Sequence, residues 1–495
     1  MTFKSTLNIG SDLKTKICRT SLALAVVLVL GGCAIGPDYQ RPQVTVPAHY
    51  KELPGWAQAA PAETAPKGKW WSAFNDPLLA ELEPQVAVSN QTVAQSYANY
   101  QAALAEVRVA RSALFPVVGL SGTLTRQGGG GAVGRGGVST QSASNVGSIE
   151  GSVSWAPDLW GGVRRSVEKN KANAQASAAT LANATLSEQV ALAVAVVDLR
   201  VTDANIDLLR KTVDAYQEYL RVVSAKDAAG TVPPSDVISA RVQLKNAQAS
   251  LLALGVARAQ YAHAIAVLVG KNPESLDIPH STALPVLPDI PVGVPSTLLQ
   301  RRPDIAIAER QMAAQNAAIG VAEAAYYPTL SLSAADGFSQ SPLAGLLNIA
   351  NHVWALGADI GAALFEGGAR HGRVAVAKAQ YEAAVANYRG TVLTAFRNVE
   401  DDLVGLRVLG QRAEVLDGAV GDATRATEIA RNQYAAGIVD FTTVAVAQAT
   451  QLGDEQTALS VRQQRLLDTV SLIGDLGGGW LADGLALAGN GSTRR

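Results

Sequence analysis

The sequence predicts an α+β membrane protein, and three observations predict it. A lipoprotein-type leader opens the chain, one helix-and-strand unit occurs twice, and four short segments alternate apolar with polar residues.

Lys14, Lys16 and Arg19 precede an apolar run from Ser21 to Leu30, the charged and apolar parts of a secretory signal. The run ends in Leu30-Gly31-Gly32-Cys33, which matches the bacterial lipoprotein cleavage box, so Cys33 is expected to become a lipidated N-terminus. The plainer readings are a signal peptide with an incidental cysteine, or a short anchor, although the run is short for a spanning helix. Ala34 follows, with no aspartate there to suggest inner-membrane retention. Two or three acyl chains would hold the chain firmly where one binds only marginally. Cys18 leaves with the leader and lipid consumes Cys33, so no thiol remains for a disulfide, a metal or a nucleophile.

Removing residues 1–32 takes away four basic side chains and one acidic one, leaving 37 basic against 41 acidic. With no basic stripe, nucleic acid is excluded as a partner class. Apolar residues reach 48% but aromatics only 5%, and such small side chains suit closely packed helices. Downstream of the leader no apolar run approaches the length of a spanning helix, so a crossing would fall to strands.

The duplication rests on three landmarks in one order. Leu114-Phe115-Pro116 recurs as Tyr326-Tyr327-Pro328, and Leu159-Trp160-Gly161-Gly162 as Phe365-Glu366-Gly367-Gly368. Ala229-Gly230 with Asp236-Val237 recurs as Ala436-Gly437 with Thr443-Val444. Each unit reads helix, strand, loop, strand, long helix, tight turn, helix. Before Pro116 the helix starts near Pro77; before Pro328 it starts at Pro303, a residue suited to a first helical turn. Ile206, Leu209, Val213, Tyr216, Leu220 and Val223 form a heptad stripe, repeated as Leu416, Val420, Ala423, Thr427 and Ala430. A left-handed coiled coil or one face of an ordinary bundle helix accounts for it. Helices from 162 to about 228 and from 368 to about 435 would each be roughly 100 Å long. Those of about 78–113 and 235–270 give roughly 50–55 Å, so two stacked equal one long helix. The chain divides into a leader (1–32), a lipidated extended segment (33–76), a first repeat (77–285), a linker (286–302), a second repeat (303–476) and a glycine-rich tail (477–495).

The strands alternate with period two. Val118, Leu120, Gly122 and Leu124 share a face, as do Ile149, Gly151, Val153 and Trp155; Leu330, Leu332 and Ala334; and Trp354, Leu356, Ala358 and Ile360. Apolar outside and polar inside is the pattern of a transmembrane barrel wall, although soluble hairpins with one buried face alternate likewise. The loop from Gln127 to Thr140 is glycine-rich and expected to be mobile. Without a Lys-Ser/Thr pair or a following helix it does not read as a phosphate cradle. Four strands cannot close a barrel, and lipid tolerates no unpaired edge, so the chain must oligomerise. A dimer gives eight strands with a filled lumen, a trimer twelve with room for a channel.

Several motifs carry a resemblance. Cys33 is followed by Gly36-Pro37-Asp38-Tyr39 and Arg41-Pro42; then come Trp70-Trp71, Phe74 and Asp76-Pro77. More specific still is Pro295-Ser296 through Leu298-Leu299, Arg301-Arg302-Pro303-Asp304-Ile305 and Ala308-Glu309. With these the chain resembles the outer membrane factors of tripartite efflux systems, TolC- and OprM-like proteins, in particular their NodT-type lipoproteins. The resemblance covers nearly the whole mature chain. It implies a homotrimer with a 12-stranded transmembrane β-barrel in the outer membrane, continuous with a 12-helix periplasmic α-barrel. It also implies no catalysis and no cofactor, partnership with a periplasmic adaptor and an inner-membrane RND-type pump, and passive exit of drugs or toxic compounds through the lumen.

The resemblance further implies a gate at the periplasmic tip near the two glycine turns, Gly230 and Gly437, which are also the candidate adaptor-docking points. Asp236 falls on an acidic gate position, Tyr434 on a gate tyrosine that links to it, and Arg462 on a basic position of the last helix. Read by itself, Asp236 after Pro233-Pro234-Ser235 is equally a helix N-terminal charge, and Tyr434 is one more coiled-coil core residue. Thr443 and Val446 stand where relatives are acidic, and Val439 where they are basic, which points to a tip sealed more by packing than by charge.

Two other classes fit less of the sequence. His49, His263, His280, His352 and His371 are scattered without metal-ligand spacing, and no GxSxG turn occurs, so an enzyme has no visible centre. Met312, alone in the mature chain, gives no support for a methionine-lined copper or silver path. A lipid-anchored coiled-coil spacer or adhesin would share the helices and the anchor, but would not need four strands at symmetric places.

Overall fold

The computed structural model describes residues 34–52, 69–128, 133–134, 137–138, 143–288, 301–341 and 343–478. The leader, Cys33, most of the 286–302 linker, about half of the glycine-rich loop and the tail beyond Gly478 lie outside the described residues. Within that loop, Val133-Gly134 pairs with Gly137-Val138.

Among the described residues, seven helices and four long strands alternate as the duplication predicts. They are α1 (Pro77–Ser89), α2 (Gln91–Ser112), β1 (Val117–Gln127), β2 (Ser144–Trp155), α3 (Gly162–Ala228) and α4 (Pro234–Leu268). The second repeat gives α5 (Pro303–Ala324), β3 (Thr329–Gln340), β4 (His352–Gly361), α6 (Ala369–Ala435) and α7 (Phe441–Asp475). The two long helices have 67 residues each, and α4 and α7 have 35 each, so these helices match in length from copy to copy.

One element departs from expectation. The helix expected from Pro77 to about 113 is broken at Asn90, whose backbone is extended. Its side-chain oxygen caps Thr92 and Val93 at 2.8 and 3.1 Å, while its amide donates to Glu188 and to the Leu268 carbonyl at 2.9 Å each. Capping starts a new helix at the cost of the old one.

Contacts divide the chain into two units, and each unit draws on both repeats. The first comprises residues up to 42, 102–174 and 310–386, and holds the sheet. Its strand order is β1-β2-β3-β4, antiparallel throughout, with β2–β3 joining one repeat to the other. The register aligns every predicted apolar set. Val118 faces Val153, Val153 faces Ala334, and Ala334 faces Leu356, all on one side; Leu120, Leu332 and Ile360 share it. The other side carries Ser121, Thr123, Glu150, Ser152, Ser331, Ser333 and Asp359. Asp336 is the carboxylate of the apolar side, and His352 Nε2 sits 2.8 Å from it. Most of the apolar side is bare: Leu120 is 79% exposed and Leu356 77%. β1 and β4 each pair on one side only.

The second unit, residues 43–101, 175–309 and those from 387 on, holds a core where α1 meets parts of α3, α4 and α7. Phe74, Leu79, Leu82, Val86, Leu192, Val196, Leu199, Ile265 and Val470 are buried there. Each such side chain stabilises the fold by roughly 1.5–3 kcal/mol relative to exposure. Asp76 initiates α1, its Oδ1 accepting from Leu78 and Leu79 at 2.8 and 3.0 Å, while its Oδ2 holds the Arg200 guanidinium at 3.0 Å. Arg302 bridges Asp304 and Asp475 at 2.7 Å each. The resembling motifs around Asp76 and Arg302 are thus structural.

The expectation that no downstream helix is apolar enough to span a bilayer is corrected. Stretches within α3 and α4 reach a mean hydropathy of 1.4. In α3, Leu192, Val196, Val197, Leu199 and Val201 belong to the buried core, so part of that apolarity is already used inside the protein.

Candidate functional site

The two glycine turns end α3 and α6 alike. Thr231 N–H donates to Lys226 O and Gly230 N–H to Asp227 O; Ile438 N–H donates to Gln433 O and Gly437 N–H to Tyr434 O. Both pairs form a Schellman motif, which needs a left-handed residue, and Gly230 and Gly437 have φ of 69° and 71°. After the second turn Asp440 caps α7, accepting from the Thr443 backbone and hydroxyl at 3.1 and 3.0 Å. The first turn has Pro233 in the capping place, with no side-chain bond.

Beside the turns one apolar cluster gathers all four helices. It comprises Val223 of α3, Ala240 of α4, Ala430 and Tyr434 of α6, and Phe441, Val444 and Ala445 of α7. The heptad stripes lead into it: Ile206, Leu209, Val213, Tyr216 and Val223 are buried on α3, and Ala423, Thr427 and Ala430 on α6. Thr427 Oγ1 donates to the Ala447 carbonyl at 3.1 Å, tying α6 to α7. Arg431 Nε donates to Tyr219 Oη at 2.8 Å, tying α6 to α3.

Tyr434 sits at the centre. Its ring is buried, packs edge-on to Phe441 at 5.9 Å, and has the Lys226 ammonium 4.2 Å from its centroid. Its hydroxyl is buried and has no hydrogen-bond partner. Burial, then Asp236, then Tyr219 raise its pKa. Burial and, next, the Asp440 carboxylate raise that of Asp236. The structure therefore brings Asp236 and Tyr434 within electrostatic reach without a hydrogen bond on the phenol. Arg462 is exposed on α7, about 30 Å along the helix from Phe441, and is not among the gathered residues. Val439 packs against the cluster, whereas Val446 is exposed. Lys226, Phe441 and Asp440 were not singled out from the sequence, although Asp440 with Thr443 three residues on is a readable cap pattern.

The chain just after Cys33 is also fixed. Ile35 N–H donates to the Trp160 carbonyl at 3.1 Å. The buried Arg165 reaches Ile35 O at 3.1 Å, Gly36 O at 3.0 Å and Asp38 at 2.8 Å. Asn316 donates to Pro37 O at 2.8 Å. Gly36 lies so close to Gly320 that a Cβ on it would come within 2.4 Å of the Gly320 Cα. Ala34 abuts Gly161, in the turn between β2 and α3. Trp160 there stacks on Tyr327 at 4.8 Å and donates to the Pro328 carbonyl at 2.7 Å.

A largely bare apolar sheet with open edges, and paired helices that gather at glycine turns, define a class: a wall segment of an outer-membrane channel. The chain belongs to the outer membrane efflux protein family, whose pattern matches residues 82–271 and 294–478, one stretch in each repeat. Antibiotic efflux pump outer membrane protein ArpC of Pseudomonas putida is 29% identical over 472 residues, covering 93% of this chain and 96% of that protein. Outer membrane protein OprJ of Pseudomonas aeruginosa is 28% identical over 469 residues, covering 92% and 95%. The solved outer-membrane channel OprN matches with a TM-score of 0.83 at 28% identity, over 90% of this chain and all of that one. The Campylobacter jejuni channel CmeC shares the fold, with a TM-score of 0.83 at 22% identity, over 91% of this chain and 96% of that one. The chain is an outer-membrane channel component of an efflux pump, and these relatives are transport proteins rather than enzymes.

Proposed function

We propose that three copies of the chain close one wall, a 12-stranded barrel in the outer membrane and a 12-helix tube in the periplasm. This duct gives drugs or toxic compounds a passive exit. The observation that carries the reading is the pair of half-paired outer strands, β1 and β4, on a sheet with a largely bare apolar face. In lipid every strand edge must be paired, and neighbouring copies supply the missing partners. The helices agree. Ile238, Val242, Leu252 and Val256 on α4, and Val408, Val415 and Ile429 on α6, are exposed at heptad spacings, as seams awaiting another helix would be.

Cys33 is the lipid anchor in this reading, and the segment that follows it, Ala34 to Asp38, is fixed beside the β2–α3 turn. The glycine turns at Gly230 and Gly437 are the docking points for a periplasmic adaptor, which joins the duct to an inner-membrane RND-type pump. The Tyr434 cluster closes the tip by packing, and Asp236 tunes it. Purified protein in planar bilayers tests the duct: heat-resistant trimers that conduct ions support it. A rod that never conducts would favour a lipid-anchored spacer or adhesin.

A further inference from the structure

The loop between β3 and β4 is built unlike a water-exposed lid. Two turn bonds, Leu346 N–H to Leu343 O at 3.2 Å and Asn348 N–H to Gly345 O at 2.9 Å, shape its first half. A short 3₁₀ turn, Ile349–Asn351, follows, with the Asn348 side chain capping Ala350 at 3.1 Å. The Asn351 amide donates back to Gly345 O at 2.8 Å. Both asparagine side chains are thus turned to the loop's own backbone.

Its apolar side chains go elsewhere. Leu343 and Leu346 lie over Gly147, where a Cβ would come within 2.3 Å of Leu343 Cδ2 and 3.6 Å of Leu346 Cδ2. Gly147 pairs with Leu124 and Gln340, so it lies on the same side of the sheet as Leu120, Ile149, Val153 and Leu356. That side is the lipid-facing one of an outer-membrane barrel, because the other carries Ser121, Glu150, Ser152 and Asp359. Leu347 and Ile349 remain 70% and 79% exposed. A loop reaching into water has little reason to spend its polar groups internally while displaying aliphatic ones, whereas contact with lipid rewards both.

We propose that the β3–β4 loop is seated against the lipid of the outer leaflet, with Leu347 and Ile349 in contact with acyl chains, as an extension of the barrel's outer surface. The occupant is lipid because the loop packs on, and continues, the face that already meets it. The loop therefore stands beside the channel mouth rather than across it. The inference rests on the barrel reading.

Single-cysteine variants of the native lipidated chain test it, since Cys18 leaves with the leader and lipid consumes the Cys33 thiol, so no other free thiol competes. Leu347→Cys and Ile349→Cys are compared with Leu356→Cys on the lipid side and Ser339→Cys on the polar side, in phosphatidylcholine vesicles with acyl-chain bromines. Fluorophores at 347 and 349 are expected to be quenched like the one at 356. Reaction with a charged thiol reagent should be about tenfold slower than at 339, because only the thiolate reacts and apolar surroundings suppress it. Unquenched fluorophores at both loop positions, with labelling as fast as at 339, would overturn the proposal. If 356 itself labels like 339, the barrel reading fails instead.

Discussion

Replacing Tyr434 separates packing from hydrogen bonding as the force that closes the tip. The ring is buried against Phe441 and beneath the Lys226 ammonium, while the hydroxyl has no partner. Truncating a buried aromatic to alanine costs about 3–5 kcal/mol. The edge-on pair contributes about 0.5–1.5 of that and the ammonium about 0.5–1. Tyr434→Ala should therefore move the closed tip toward opening by roughly a hundredfold to a few thousandfold, each 1.4 kcal/mol being about a factor of ten. Tyr434→Phe removes a buried hydroxyl whose unmet desolvation costs about 1–3 kcal/mol, so the closed tip should hold as well or better. Single-channel open probability in planar bilayers reads both variants against the native protein. A Tyr434→Phe channel as open as Tyr434→Ala would refute the reasoning, because the hydroxyl would then be making the decisive bond.

Three further outcomes follow from the same structure. Because burial and Asp440 raise Asp236, its protonated form favours the closed tip; that stabilisation is present at low pH and lost as pH rises through the raised value, so acidification should lower open probability and Asp236→Asn should abolish the dependence. Asp76→Ala removes a helix cap worth about 1 kcal/mol and leaves Arg200 buried without its partner, a loss of about 3–5 kcal/mol; Asp76→Asn keeps the capping oxygen but also strips Arg200 of its counter-charge, so denaturant unfolding should show a large drop for both, smaller for Asp76→Asn by only about 1 kcal/mol. Asp402 is pushed up to about 8 by burial and, next, by the Asp475 carboxylate, so stability should fall as pH climbs from the ordinary carboxylate range to about 8 and level off above it; Asp402→Asn should flatten thermal stability between about pH 4 and 8.

Periodicity made the strands and the long helices legible. Val118, Leu120 and Leu124 pointed to one face before any partner strand was known, and the register placed Val153, Ala334 and Leu356 beside them. The glycine turns were legible because a left-handed helix end almost requires glycine. The break at Asn90 was not, since its cause lies in Glu188 and the Leu268 carbonyl, far along the chain. Pro77 read as the start of a helix, but nothing local announced that Asp76 beside it would hold Arg200. At the tip, the resemblance pointed Tyr434 to a polar link, while the heptad stripe made it one more coiled-coil core residue. What surrounds it is a ring, an ammonium and an apolar cluster drawn from four helices, which no single stretch of sequence displays together.

Native mass measurement of the purified mature protein in mild detergent tests the central claim most directly, that one chain supplies a third of a sealed wall. Three chains per particle, with no free monomer, is the result expected from two half-paired strand edges. A stable single chain, or a pair, would contradict it.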